Sequence, residues 1–188
     1  LSPEGEAYVA DHNNDRIRVL RFGEVKTFAG VGRKKSPSLK FSDSPTALKS
    51  SEITLPTALC FHASTIYATQ TARHVILVLA DNSVSVYAGA STPLHASSPG
   101  EGDASPPTAS HSGTPESFQF WKGYEDGMRT SARFDSPHGI CVTGAGDLYV
   151  ADSGNHCIRF VNVAAVTTFA GVGKIMGFKD GPAREALF

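Results

Sequence analysis

The chain has no run of about 18 consecutive apolar residues, which excludes a membrane-spanning helix. It also lacks an excess of charge of either sign. Its 17 Lys and Arg stand against 18 Asp and Glu, a formal net charge of -1, so no global field collects nucleic acid or an acidic membrane. Cysteine is scarce and odd in number, at Cys60, Cys141 and Cys157. That is not a disulfide framework, and it favours a reducing, intracellular compartment. Leu1 opens in mid-pattern, without the basic region and apolar stretch of a signal peptide. The histidines His12, His62, His74, His95, His111, His138 and His156 never fall at His-x3-His spacing, and no Cys-x2-Cys accompanies them. Metal and cofactor are therefore not expected. No stretch carries a clean helical period.

What the chain does have is short β-branched and aromatic runs, such as Ile17-Arg18-Val19-Leu20 and Ile158-Arg159-Phe160-Val161, bounded by Gly, Asp, Asn or Ser. These read as many short strands joined by turns. The chain also repeats itself. Val25-Lys-Thr-Phe-Ala-Gly-Val-Gly32 recurs as Val166-Thr-Thr-Phe-Ala-Gly-Val-Gly173, with a weaker copy at Val84–Ser91. Upstream of each, Ala7-Tyr-Val-Ala-Asp-His-Asn-Asn-Asp-Arg-Ile-Arg18 matches Leu148-Tyr-Val-Ala-Asp-Ser-Gly-Asn-His-Cys-Ile-Arg159, and the middle copy runs from Ile66 to Ile76. A third block opens each unit, Leu55-Pro-Thr-Ala-Leu-Cys-Phe61 against Ser136-Pro-His-Gly-Ile-Cys-Val142, with Cys60 and Cys141 in register.

In the third unit four strands are expected, at Gly139–Val142, Asp147–Ala151, Cys157–Asn162 and Val166–Ala170. A four-stranded unit with this period is a propeller blade. The interval from Ala88 to Ala170 exceeds that from Ala29 to Ala88, and a Ser/Pro-rich insertion from Ser91 to Glu116 accounts for the excess. Its composition cannot bury enough apolar surface to order itself. The expected organisation is a partial blade over 1–32 that lacks its first strand, a linker over 33–54 and a degenerate blade over 55–89. The insertion and a linker follow over 90–125, then a blade over 126–173 and a linker to a next blade over 174–188.

The order Pro-x-Gly-Ile, Gly-Asp-Leu-Tyr-Val-Ala-Asp, Asn-His-x-Ile-Arg and Thr-Phe-Ala-Gly resembles the NHL repeat. The copy at Pro137–Gly171 is close to that consensus, the copy at Ala7–Gly32 lacks its first strand, and the copy at Leu55–Gly89 is degenerate. The resemblance implies an all-β propeller segment of about three four-stranded blades, part of a ring of about six. It also implies closure by further blades or by self-association.

Asp11, Asn14 and Arg18 repeat as Asp152, Asn155 and Arg159. Residues that recur from blade to blade serve every blade, so they are expected to hold turns and strands together rather than bind metal or catalyse. The middle copy is read with Thr69, Ala72 and Ile76 at these places, and its blade as the least stable. His138 follows Pro137 at the start of an innermost strand, where it can face a ligand. Cys60 and Cys141 have no base placed beside them by the sequence, so no catalytic residue is assigned. The expected function is a non-catalytic scaffold for protein–protein interaction. Two alternatives stand beside it. One is an RNA-binding propeller that uses the basic segment near residues 16–40, and the other is a fragment of a lyase- or lactonase-like propeller enzyme.

Overall fold

The structure, a computed structural model, describes residues 2, 4–32, 45–90 and 122–188. The insertion from Ser91 to Glu116 and the linker from Arg33 to Ser42 lie outside the described residues. Among the described residues, thirteen strands form three antiparallel sheets. The first holds β1 (Ala7–Asp11), β2 (Arg16–Arg21) and β3 (Glu24–Ala29). A two-residue strand, β4 (Thr46–Ala47), precedes the second blade, which holds β5 (Pro56–His62), β6 (Thr65–Gln70), β7 (Val75–Ala80) and β8 (Ser83–Ala88). The third repeats this plan. A short β9 (Gly127–Met128) precedes β10 (Pro137–Val142), β11 (Leu148–Asp152), β12 (Cys157–Val161) and β13 (Ala165–Ala170).

Each complete blade is thus a four-stranded meander plus a fifth, two-residue strand that the preceding linker adds to its outer edge, β4 on β8 and β9 on β13. This fifth strand is a departure from the four strands expected of each unit. The linker backbone finds hydrogen-bond partners there on the open edge of the outer strand. It is also tied to the blade before it: the N–H groups of Gly30 and Gly89 donate to the carbonyls of Leu48 and Arg129.

One repeated glycine has a steric reason. Gly30, Gly89 and Gly171 close the outer strands at φ of +97°, +113° and +92°. A Cβ at Gly30 or Gly171 would lie 2.6 or 2.7 Å from the carbonyl oxygen of Asp15 or His156. The Ala-Gly pair of the repeated block is therefore a close approach between the outer strand and the turn after the second strand.

The core lies between blades. Ile17, Ile53, Ile66, Leu77 and Leu79 fill the first junction, with Tyr8, Phe28 and Phe61 against them. Tyr67, Ile76, Phe134, Leu148, Val150 and Val161 fill the second. The third blade alternates, burying Cys157, Arg159 and Val161 of β12 on one side. The middle blade is covered on both faces, so Val75–Ala80 reads as an unbroken apolar run. The degenerate sequence of the middle blade goes with burial of both faces of β6 and β7.

Strand register also corrects the alignment of the middle copy. Gln70 faces Pro56 as Asp152 faces Pro137, and His74 closes its turn in the left-handed region as His156 does. The equivalents of Asp152, Asn155 and Arg159 are therefore Gln70, Arg73 and Leu77, not Thr69, Ala72 and Ile76. Thr69 and Ile76 point to the other face of their strands, because a shift of one residue reverses the face.

Candidate functional site

Asp152 ends β11, and a single 3-10 turn over Ser153–Asn155 follows it. The turn brings Asn155 back onto the carboxylate, and Arg159 reaches it from β12. Asp152 Oδ2 accepts from Asn155 Nδ2 and Arg159 Nη1, each at 2.8 Å, and Oδ1 accepts the Asp135 N–H at 2.7 Å. Arg159 is fully buried. It also donates to the carbonyls of Arg133 and Glu125 at 2.9 Å and to Asp126 Oδ1 at 2.7 Å. Asp126 Oδ2 accepts the Thr168 N–H at 3.0 Å. Burial pushes the Asp152 carboxyl up, opposed by the hydrogen bonds from Asn155, Asp135 N–H and Arg159. The network joins β11, β12, β13 and the linker before them.

Asp126 enters the sequence reading only as the first residue of the blade over 126–173. The signal for its role was present, because Asp126-Gly127 recurs at Asp180-Gly181. In the first blade Asn14 Nδ2 donates to Asp11 Oδ1 at 2.8 Å, as in the third. The middle blade moves the cation from strand to turn: Leu77 is apolar, and Arg73 lies 3.7 Å from Glu52.

A second recurring contact crosses the junctions. Asp15 Oδ1 accepts the N–H of Leu55 at 2.9 Å, and His74 Nδ1 accepts that of Ser136 at 2.9 Å. Leu55 and Ser136 each precede the proline that opens the next blade, at φ of 45° and 52°. An imidazole that accepts at Nδ1 must be neutral. Burial holds the His74 pKa below its ordinary 6.5, against the pull of Asp135 at 3.7 Å and with help from Lys122. The unfolded chain therefore takes up a proton that the fold refuses, so stability rises with pH between the lowered value and 6.5 and is lost on acidification through that window. Protonation removes one junction hydrogen bond, a loss of about 1 kcal/mol. Denaturant midpoints at about pH 5 and about pH 7.5 are expected to differ more for the wild type than for His74→Asn, which keeps an acceptor that does not titrate. Equal differences would remove His74 from this role.

His138 is exposed beside a bulge in β10, with Nδ1 3.3 Å from the Ser136 carbonyl. Its own carbonyl accepts from Thr69 Oγ1 at 2.7 Å across the junction. Among the cysteines, Cys141 is exposed, whereas burial pushes the thiols of Cys60 and Cys157 up to about 12. Thiols held that high carry almost no thiolate at neutral pH. Titration of the native chain with a thiol reagent is expected to show one fast group, Cys141, and two that react only on unfolding. Fast reaction of all three would contradict the burial of Cys60 and Cys157.

Between the first and second blades opens a cavity of about 320 Å³, with Tyr8, Phe28 and Phe61 among its walls and Glu6 and Arg21 at its rim. Tyr8 packs on Phe28 and Phe61 at centroid distances of 4.9 and 5.0 Å. Glu6 Oε2 accepts from Tyr8 Oη at 3.0 Å and from Arg21 Nη2 at 2.7 Å. The Arg21 hydrogen bond holds the Glu6 carboxyl below its usual range, and burial raises the Tyr8 phenol. The sequence did not single out this trio, since Glu6 and Arg21 meet only through strand pairing.

Arg21 and Lys26, two cations of the basic segment, each pair with an acid, Glu6 and Glu24. Residues 33–40 of that segment lie outside the described residues. Among the described residues, no three His, Cys, Asp or Glu side chains are placed to hold a metal ion, and no helix is long and apolar enough to cross a membrane.

Residues 134–159 match the NHL repeat family. No curated protein matches the chain. Among solved structures, it is similar to a Bacteroides thetaiotaomicron structural genomics protein of unknown function, with 19% identity and a TM-score of 0.62 over 98% of this chain and 38% of that one. It is also similar to an auxiliary nutrient binding protein from Bacteroides ovatus (20%, TM-score 0.57, 99% and 39%) and to a putative phosphatase from Bacteroides thetaiotaomicron (15%, 0.56, 98% and 39%). The chain spans about two fifths of the length of these structures. At such identities the likeness is one of fold, a β-propeller segment.

Proposed function

We propose that this segment of an NHL-repeat propeller is a non-catalytic scaffold for a protein partner, docked at the cleft between the first and second blades. The observation that carries the reading is the cleft itself. Aromatic walls with an Arg–Glu–Tyr set at the rim are the composition that anchors a partner's side chains, and rigid blades hold it in place. Asp11 and Asn14 of the first blade, and Asp152, Asn155 and Arg159 of the third, are taken up by contacts within and between strands, which supports a structural role for them and leaves recognition to positions that differ between blades. RNA binding is the weaker reading, because Arg21 and Lys26 are already paired with carboxylates.

The test is affinity capture with the immobilised chain, comparing wild type with Arg21→Glu. A partner held by the wild type is expected to bind the variant at least about tenfold more weakly, the scale of an interface hot spot, with the melting temperature unchanged. Equal retention by both would rule out the cleft. Capture of RNA with an affinity that falls steeply with salt would replace the protein partner.

A further inference from the structure

The two blade junctions are built on the same aromatic pair, and one of them lacks the cation that the other carries. At the second junction Tyr67 meets Tyr87 edge to face, with ring centroids 4.8 Å apart. The guanidinium of Arg129 lies over the Tyr87 ring at 4.3 Å, and its Nη1 donates to the Tyr87 carbonyl at 3.3 Å. Arg129 belongs to the linker and is fixed there by its own carbonyl, which accepts the Gly89 N–H.

At the first junction Tyr8 meets Phe28 in the same way, at 4.9 Å and 88°. Phe28 sits in the same bulge of the outer strand as Tyr87. The linker residue whose carbonyl accepts the Gly30 N–H is Leu48, so Leu48 stands where Arg129 stands in the next junction. Among the described residues, no guanidinium or ammonium lies over Tyr8 or Phe28. The difference is one linker residue, and both positions are internal to the chain.

The cleft opens against this seat. Tyr8, Phe28 and Leu48 line it together, and Phe61 adds a third ring 5.0 Å from Tyr8. Its polar lining holds three carboxylates, Glu4, Glu6 and Asp81, against one base, Arg21, which is already bound to Glu6. Aromatic faces beside a surplus of carboxylate attract a cation.

We propose that the cleft takes an arginine side chain of the docked protein, its guanidinium seated on the Phe28 ring as that of Arg129 is seated on Tyr87. This rests on the reading of the cleft as a protein-docking site and names the residue that enters it.

The probe is the blocked tripeptide acetyl-Gly-Arg-Gly-amide, titrated into the chain while the ring signals of Tyr8 and Phe28 are followed by nuclear magnetic resonance. Its counterpart with citrulline keeps the shape of the side chain and loses the charge. The arginine peptide is expected to shift both rings along a saturable curve, and the citrulline peptide to bind about tenfold more weakly. Leu48→Arg supplies the guanidinium from within, and is expected to abolish peptide binding without lowering the melting temperature. Equal binding of the two peptides, no shift of either ring at the solubility limit of the arginine peptide, or undiminished binding to Leu48→Arg would overturn the proposal. A captured partner that depends on Arg21 and still binds Leu48→Arg would keep the cleft as a docking site and overturn the arginine alone. Capture that ignores Arg21, beside a peptide that discriminates arginine from citrulline, would support the seat and remove the docking reading.

Discussion

Arg159→Ala is expected to lower the unfolding free energy by about 3–5 kcal/mol, the cost of leaving a buried ion without its partner. Asp152 is fully buried, and without the guanidinium it keeps only the Asn155 amide and the Asp135 N–H. The carbonyls of Glu125 and Arg133 lose the guanidinium at the same time and keep only each other's N–H, so the linker is held to the blade by fewer bonds. Domains of this size are held by only about 5–15 kcal/mol, and the variant should therefore unfold at a much lower denaturant concentration. Chemical denaturation gives the number. Partner binding, measured where the variant is still folded, is expected to equal that of the wild type. A loss below about 1 kcal/mol, within the range of ordinary substitutions, or binding abolished in a folded variant, would turn this set from a fold device into a recognition site.

The second large effect is expected at Gly171. Alanine there must adopt a φ of +92° with its Cβ 2.7 Å from the His156 carbonyl oxygen and 3.0 Å from Cys157 Cα. Both obstacles are backbone, so the strand end must move. Left-handed strain and the displaced contact together cost about 2–3 kcal/mol. Gly144→Ala is the control. It has open space around it and no left-handed φ, and it should stay within about 0.5 kcal/mol of the wild type. Thermal unfolding of the two variants side by side decides the matter. Equal melting temperatures would mean that the glycine in the repeated Ala-Gly pair has no steric basis.

The strand order was legible because it rests on local pattern. Tyr149, Val150 and Ala151 alternate, Gly144–Asp147 turns the chain, and the same order returns from one unit to the next. Four things were hidden. Strands β4 and β9 are two residues each, too short to show a period, and they exist only because the neighbouring outer strand offers an edge. The misreading of Thr69 for Gln70 has the same origin. Between Tyr67 and His74 no residue repeats the Asp-x2-Asn signature, and the register becomes visible only when β6 is seen against Pro56. Of the recurring set, the Asp152–Asn155 contact follows from a spacing of three residues. Asp126, which completes it, lies 33 residues from Arg159 along the chain, and no spacing rule reaches that far. The cleft was not legible at all, since Glu6, Tyr8, Arg21 and Phe61 come from separate strands and approaches.

The position of the lock changes where one module ends and the next begins. Asp126, the Glu125 and Arg133 carbonyls and the β9 edge all precede Pro137, yet every one of them serves the blade that follows. The hereditary unit read from the consensus begins at the first long strand, whereas the unit that can be lifted out intact begins at Gly123, whose carbonyl already holds Asn155 at 2.7 Å. Anyone exchanging blades between propellers of this kind should cut ahead of residue 123. A graft cut at Pro137 would arrive with its arginine and without the carboxylate and carbonyls that receive it.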